Sequence, residues 1–378
     1  MTDQTLTMLA DAAAAFAKPD PSRVRKWRAT PPGFDRSTWL RMAEQGWLSA
    51  LVPEELDGLG LGVTAATVIA ERLGHALYTE PYVPAGLMAP VCLVACEPGA
   101  QVRELLAGVL SGKTIASIAW QSERGGLDID QTAVVANREA DRVSLSGASH
   151  FVPVASAEVF IVAARCAGEL ALYRVGRDCA GLVCESHMLA DGCAIATLRA
   201  TDVRLPDSAC IARGERADAS LRHAIDCGIV VASAELVGVM ERCLDMTLEY
   251  LRTRKQFGRA IGSFQALQHR AVDLWVQKEL ARAAVASAAR TLDDASASPR
   301  ARSAAASGAK ARATHAALLM ATQAVQLHGA IGFTDEYDLG LYLNRALVLS
   351  AWLGNAAEHR RRYGELAAIE TDHAGETA

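Results

Sequence analysis

The sequence predicts a mainly α chain with a central β domain, and two changes of hydrophobic period predict it. Up to about residue 112, apolar positions recur at helical spacing between Pro- and Gly-rich breaks. From Thr114 to Leu205 they fall in short runs bounded by turn residues, and from Leu221 helical spacing returns and holds almost to the end. These changes divide the chain into an N-terminal helical domain (1–112), a middle β-barrel or sandwich domain (113–213) and a C-terminal four-helix bundle (214–378).

Composition agrees: 378 residues, 51% hydrophobic and 21% charged, can bury two or three substantial cores. A net charge of −5 offers no basic surface for nucleic acid. The N-terminus carries Asp3 and Asp11 and no basic region ahead of an apolar core, so it reads as a helix and not a signal peptide. No apolar run approaches the roughly 18–20 residues of a membrane span. Nine cysteines are scattered without a C-x-x-C pair, which favours reduced thiols over a metal site or disulfides and, with the rest, a cytoplasmic setting.

In chain order, helices are expected over Asp3–Phe16, Ser37–Gln45, Thr64–Leu73, Pro84–Val94 and Ala100–Leu110, with Pro19, Pro21, Pro31 and Pro32 breaking the chain after the first. Gly58, Gly60 and Gly62 lack the preceding strand of a dinucleotide fingerprint and read as a helix connection. Strands are expected over Thr114–Trp120, Thr132–Ala136, Arg142–Leu145, Val159–Ala163, Leu170–Val175, Leu182–Glu185 and Ala194–Leu205. The final helices are expected over Leu221–Thr253, Ser263–Leu292, Pro299–Leu327 and Tyr337–Leu366, with Ser263 and Ser298 as caps and a frayed polar tail from Ile369.

The stretch Tyr250–His269 joins two of these helices. Arg254, Gln256 and Phe257 there set a forked guanidinium, an amide and a ring side by side, which suits a phosphate and a flat group, although basic residues at a helix end are also ordinary solvated termini.

This stretch resembles the R-x-Q-F-G signature of the acyl-CoA dehydrogenase family. Gln326 to Phe333 resembles that family's Q-x-x-G-G-x-G-[FY] motif, and Trp47-Leu48 with Pro53-Glu54-Glu55 and Gly58-Leu59-Gly60 resembles its N-terminal G-W-L…P-E-E-x-G-G-x-G element. The resemblance implies an FAD-dependent α,β-dehydrogenation of an acyl-CoA thioester: a carboxylate takes the α-proton, a hydride passes to the flavin, and an electron-transfer flavoprotein accepts the electrons. It also implies that Arg254, Gln256, Phe257, Gln326, Gly329 and Gly332 hold the adenosine diphosphate end of FAD bound largely by a neighbouring protomer.

The implied seat of the flavin ring departs from the family. Ser122 lies in the place of its T-E-P-x-x-G-S loop, and Phe151 replaces the tryptophan of its N-G-x-K-x-W-[IV]-[TS] strand. Ser149 stands for the lysine, and Pro153 stands for a hydroxyl residue and has no N–H. The two family positions for the base fall on Leu353 or Gly354 and on Gly228, none of them acidic. Asp226 and Glu235 are the weak substitutes: Asp226 is rotated about 200° from Gly228 on a helix, and Glu235 reads better as a buried partner for an arginine or a helix amide.

Kept adenosine-side residues beside a lost base resemble the small, non-catalytic subunits of heteromeric acyl-CoA dehydrogenases. Examples are the small subunit of pimeloyl-CoA dehydrogenase and partner chains of actinobacterial sterol catabolism. The implied assembly is an α2β2 heterotetramer with a second dehydrogenase-like chain. The alternative is a self-sufficient homomeric enzyme with a non-standard base. The resemblance implies an acyl group anywhere from fatty to sterol-derived.

Overall fold

The computed structural model describes residues 3–28 and 30–374. The chain forms helices α1 (Asp3–Phe16), α2 (Pro21–Arg28), α3 (Arg36–Glu44), α4 (Gly62–His75), α5 (Ala89–Ala95) and α6 (Ala100–Leu110). Eight strands follow: β1 (Ala116–Ala119), β2 (Val135–Glu139), β3 (Arg142–Pro153), β4 (Val159–Cys166), β5 (Glu169–Gly176), β6 (Leu182–Met188), β7 (Ala194–Pro206) and β8 (Cys210–Arg213). Helix α7 (Gly214–Thr253) leads through a two-stranded hairpin, β9 (Lys255–Gln256) and β10 (Arg259–Ala260), into α8 (Gln265–Asp293), α9 (Pro299–His328), α10 (Leu339–Ala351) and α11 (Ala356–Ala374). The order is the expected one: a helical N-terminal part, a central sheet and a helical C-terminal part.

By packing, the chain forms two compact units. One holds Trp27–Gly62 and Thr79–Gly228; the other holds Met1–Lys26, Val63–Tyr78 and Ile229–Ala378. In the first, the sheet runs β6-β7-β3-β2-β4-β5-β8, with β1 added parallel to β4. Its long central pair, β3 and β7, is antiparallel and is interrupted at Leu145/Gly147 and again at Ser149/Val152. A register shift bends the strand and re-aims the side chains beside it. In the second unit, Gly74 of α4 and Gly238 of α7 allow close approach: a Cβ on Gly238 would lie 1.9 Å from the Glu71 carbonyl oxygen, and one on Gly74 would lie 2.2 Å from that of Glu235. The α4 start is capped from afar, with the Val63 and Thr64 amides donating to the Asp293 carboxylate at 2.6 and 3.0 Å. Helix α9 lines its buried face with alanines, among them Ala306, Ala313, Ala317 and Ala324, which lets α8, α10 and α11 pack close to it.

Several expectations need correction. Pro21 starts a helix instead of breaking the chain, because proline suits the first helical position and the Asp20 carboxylate accepts from the Ser22 and Arg23 amides. Arg142–Leu145 continues to Pro153, since Gly147, at φ 129°, absorbs the first irregularity without ending the strand. The short strand β8 lies outside the expected set. Ser263 does not cap α8; its hydroxyl donates back to the Ala260 carbonyl, and Phe264 holds the cap position. Ser298 does cap α9, accepting from the Ala301 amide at 3.1 Å.

The expected Tyr337–Leu366 helix is broken at Trp352–Asn355. Leu353 and Gly354 take φ of 56° and 89°, and the Asn355 side chain caps α11 by accepting from Ala357 and Glu358. Helix α11 continues through the expected frayed tail to Ala374, and 375–378 lie outside the described residues. Two helices also prove long and apolar enough to cross a membrane by length and composition. Their apolar windows are 94% buried in Gly214–Thr253 and 50% buried in Pro299–Phe333, the behaviour of core helices.

Candidate functional site

The first group of expected site residues gathers on the central sheet. The loop after β1 is tied to β3 where the His150 amide donates to the Gln121 carbonyl at 2.8 Å, and Gln121 Nε2 closes the loop on the Gly126 carbonyl. This brings Ser122 and Phe151 into one neighbourhood: Phe151 sits in the β3 irregularity at φ 52°, 42% exposed, with its ring edge 3.5 Å from where a Cβ on Gly125 would be. A left-handed backbone at a bulky residue is costly, and such strain is concentrated where a side chain must point a particular way.

Beside the loop opens a cavity of about 510 Å³ lined by Ser122, Ala148, His150, Arg124 and Arg199 among others. The Ser122 hydroxyl is buried without a hydrogen-bond partner, an unmet need that a carbonyl or ring nitrogen of a bound flavin would satisfy. The exposed Phe151 ring adds a flat apolar contact.

Two departures from the family read differently in three dimensions. Pro153 has neither an N–H nor a hydroxyl to offer a ligand, and its carbonyl accepts a hydrogen bond from the Ser117 hydroxyl. Ser149 points the opposite way from Ala148 and His150, into a small apolar void between Val134, Leu145, Val162 and Leu198.

The second group lies at the end of α7 and the end of α9. The β9–β10 hairpin turns through Phe257 and Gly258 at φ 54° and 79°, the left-handed pair that a tight two-residue turn requires. The turn drives Phe257 out to 91% exposure, and Arg254 and Gln256 are exposed with it. The Arg254 guanidinium has no partner among the described residues, whereas Gln256 Nε2 donates to the Lys255 carbonyl. At the end of α9, Gln326 is exposed, Gly329 reverses the chain at φ 66° and ψ −143°, and Gly332 is buried with its Cα face against Val325 and His328.

The two segments are joined by rings absent from the expected set. Tyr250 stacks on His328 with centroids 4.5 Å apart, and Tyr337 lies 4.9 Å from His328. The sequence singles out the positions but not their contact: Tyr250 stands one turn before Arg254, and His328 falls inside the glycine motif. An exposed guanidinium, an amide and a glycine turn fit the pyrophosphate and adenosine of FAD.

The positions expected for a base carry no carboxylate, and the two expected substitutes are buried. Gly228 packs on Met88, whose Sδ would lie 2.5 Å from a Cβ there. Leu353 is 2% exposed, and its carbonyl accepts from His359 Nε2 at 2.7 Å. A side chain on Gly354 would meet His359 Nε2 at 2.8 Å. Asp226 is buried and has interactions of its own. Glu235 is held by Arg345, whose NH2 and Nε reach its Oε1 at 2.6 and 2.7 Å. Beside this pair Lys310 is fully buried, its ammonium donating to the Leu349 carbonyl; burial pushes its pKa down to about 7, against the opposing pull of Glu235. Burial likewise brings His359 down to about 4, so its ring is neutral and donates from Nε2.

The sequence matches family profiles at both ends: "Acyl-CoA dehydrogenase, N-terminal domain" over residues 3–113 and "Acyl-CoA dehydrogenase, C-terminal domain" over 222–366. It is 32% identical over 344 residues to the acyl-CoA dehydrogenase IpdE2 of Mycobacterium tuberculosis, covering 90% of each chain. Among solved structures it is similar to a variant of the Tcur3481–Tcur3483 steroid ACAD, with a TM-score of 0.87, 27% identity and coverage of 98% and 99%. It is also similar to the ChsE4–ChsE5 complex of Mycobacterium tuberculosis, with a TM-score of 0.86, 25% identity and coverage of 97% and 98%. On these matches, spanning both helical ends and nearly the full length of each relative, the chain belongs to the acyl-CoA dehydrogenase family.

Proposed function

We propose that this chain is the FAD-clamping, base-less subunit of a heteromeric acyl-CoA dehydrogenase. FAD supplies the hydride acceptor when bound. Arg254 and Gln256 would grip its pyrophosphate, Phe257 and the Gly329–Gly332 turn would flank its adenosine, and Ser122 and Phe151 would face a flavin ring.

The observation that carries the reading is the state of the acids. Glu235 is neutralised by Arg345, and the family's base positions are Gly228 and the Leu353–Gly354 turn. A general base must be free to approach the α-proton; glycine and leucine have no basic group, and the Glu235 carboxylate is buried and held in place by Arg345. The two similar structures described above, the ChsE4–ChsE5 complex and the Tcur3481–Tcur3483 enzyme, each pair two different chains by name, which supports a partner chain here. That partner would supply the base, and an electron-transfer flavoprotein would receive the electrons.

Co-expression with a second dehydrogenase-like chain tests the reading. Flavin stoichiometry and turnover would be measured across linear and steroid-derived acyl-CoA thioesters. Full flavin and full turnover in this chain alone would favour the homomeric alternative.

A further inference from the structure

The Tyr250–His328–Tyr337 cluster does more than fill space. His328 is 3% exposed, and its Nδ1 lies 2.7 Å from the Ala324 carbonyl. A carbonyl only accepts, so Nδ1 carries the proton; in the neutral ring Nε2 is then a bare lone pair. That lone pair lies 3.1 Å from the Tyr337 hydroxyl, which donates to it. The imidazole face stacks on Tyr250 at 4.5 Å, and the Tyr250 carbonyl accepts from the Arg254 amide at 2.8 Å. His328 therefore touches, directly or through one residue, the root of the Arg254 turn, the last turn of α9 beside Gln326, and the segment leading into α10. Gly332 seals it: a Cβ there would lie 3.1 Å from that of His328.

We propose that His328 is a positioning residue for the adenosine diphosphate end of FAD, its Nδ1–H form pinning Tyr250, and with it the Arg254 turn, against the Gln326–Gly332 segment. This rests on the reading of Arg254 as a pyrophosphate clamp. Two guanidinium-to-oxygen bonds need the fork held to within a fraction of an ångström, and an exposed two-residue turn cannot hold itself so closely.

Burial holds His328 below its ordinary pKa, although the Ala324 and Met246 carbonyls favour its charged form. The charged groups around the cluster are Arg242 and Glu249 from α7, and Asp338, which is paired with Arg25 at 2.7 Å. With the ring's pKa lowered, the neutral arrangement is already complete at the ordinary histidine pKa of about 6.5 and is lost only as pH falls through the ring's own lower value.

The test uses the full chain in its assembled form and reads the FAD dissociation constant by flavin fluorescence, from pH 5 to 8. His328→Gln is expected to weaken FAD on the order of tenfold, the size of one lost hydrogen bond with its alignment. His328→Asn, whose amide nitrogen stands in for Nδ1–H, should recover part of it. In the double variant with Arg254→Ala the losses should fall well short of adding, because one change acts through the other. Tyr337→Phe removes only the hydroxyl on Nε2 and serves if the histidine variants fold poorly; it should weaken FAD several-fold, on the order of a single neutral hydrogen bond. Full additivity with Arg254→Ala, or His328→Gln and Tyr337→Phe affinities within about twofold of the parent while Arg254→Ala lowers its own, would overturn the positioning role. An Arg254→Ala protein with unchanged affinity would instead remove the clamp reading beneath it.

Discussion

Arg345 reaches across 110 residues of sequence to hold Glu235, its NH2 and Nε both directed at one carboxylate oxygen at 2.6 and 2.7 Å. The pair is nearly enclosed, with side-chain exposures of 15% and 7%. A carboxylate so engaged is a structural anion. Glu235→Gln should therefore leave the turnover of the assembled enzyme nearly intact while lowering stability by about 3–5 kcal/mol, since it strands the buried guanidinium. Denaturant unfolding alongside steady-state assay checks both. A thousand-fold loss of turnover with normal flavin would make Glu235 a base.

Lys310 gives the fold a pH dependence of known sign. Its folded pKa is about 7 against an ordinary value of 10.5, so between these values the unfolded chain binds the proton and the folded chain does not. Stability should rise with pH from about 7 toward 10.5, and the cost of the buried charge is fully present below 7. Lys310→Met should raise stability at pH 7 by a few kcal/mol at most, on the order of a relieved buried charge, and flatten that slope. Unfolding free energies at pH 7, 8.5 and 10 decide it; an unchanged slope would mean that another group titrates.

Much of this was legible before any coordinates. The ends of α1 and α6 coincide with the periodic runs, because each is a plain amphipathic helix between strong breakers. The β3 extension was hidden because Ser146-Gly147 carries a turn composition, while in the sheet Gly147 serves a bulge. The Trp352–Asn355 break has a signal in Gly354 and Asn355, which suit a helix end and the next cap, but it is short and lies between two helical runs that read as one. Arg254, Gln256 and Phe257 could be named from their motif. Their union with the α9 end depends on Tyr250 meeting His328, a contact between helices that no spacing rule reveals.

Arg254→Ala in the assembled enzyme should lower FAD affinity about ten- to a hundred-fold, the roughly 1.5–3 kcal/mol of a charge-assisted bond. Arg254→Lys should recover only part, since an ammonium cannot reproduce the fork. Bound flavin after gel filtration is the readout, and retention unchanged from the parent in both variants would remove Arg254 from the clamp.

Supplying an acid should help at one position and not at another. Gly354→Glu forces a side chain into a left-handed backbone and onto His359 Nε2 at 2.8 Å, so it should cost at least about 1–2 kcal/mol and restore nothing. Leu353 already carries a side chain at φ 56°, so Leu353→Glu adds no backbone strain, but the side chain is 2% exposed and burying a carboxylate there should hold any gain in α,β-dehydrogenation to a weak one. A larger gain from Gly354→Glu would show that the turn is not held as described.

The division of labour between this chain and a partner is tested by acyl-CoA turnover of the homogeneous, FAD-saturated chain compared with the same chain co-purified with a second dehydrogenase-like subunit. The expected result is no measurable α,β-dehydrogenation by the chain alone and restored turnover in the complex, because a missing general base alone removes about 10² to 10⁴ in rate. Turnover by the lone chain equal to that of the complex, abolished by Asp226→Asn or Glu235→Gln with flavin content unchanged, would contradict it.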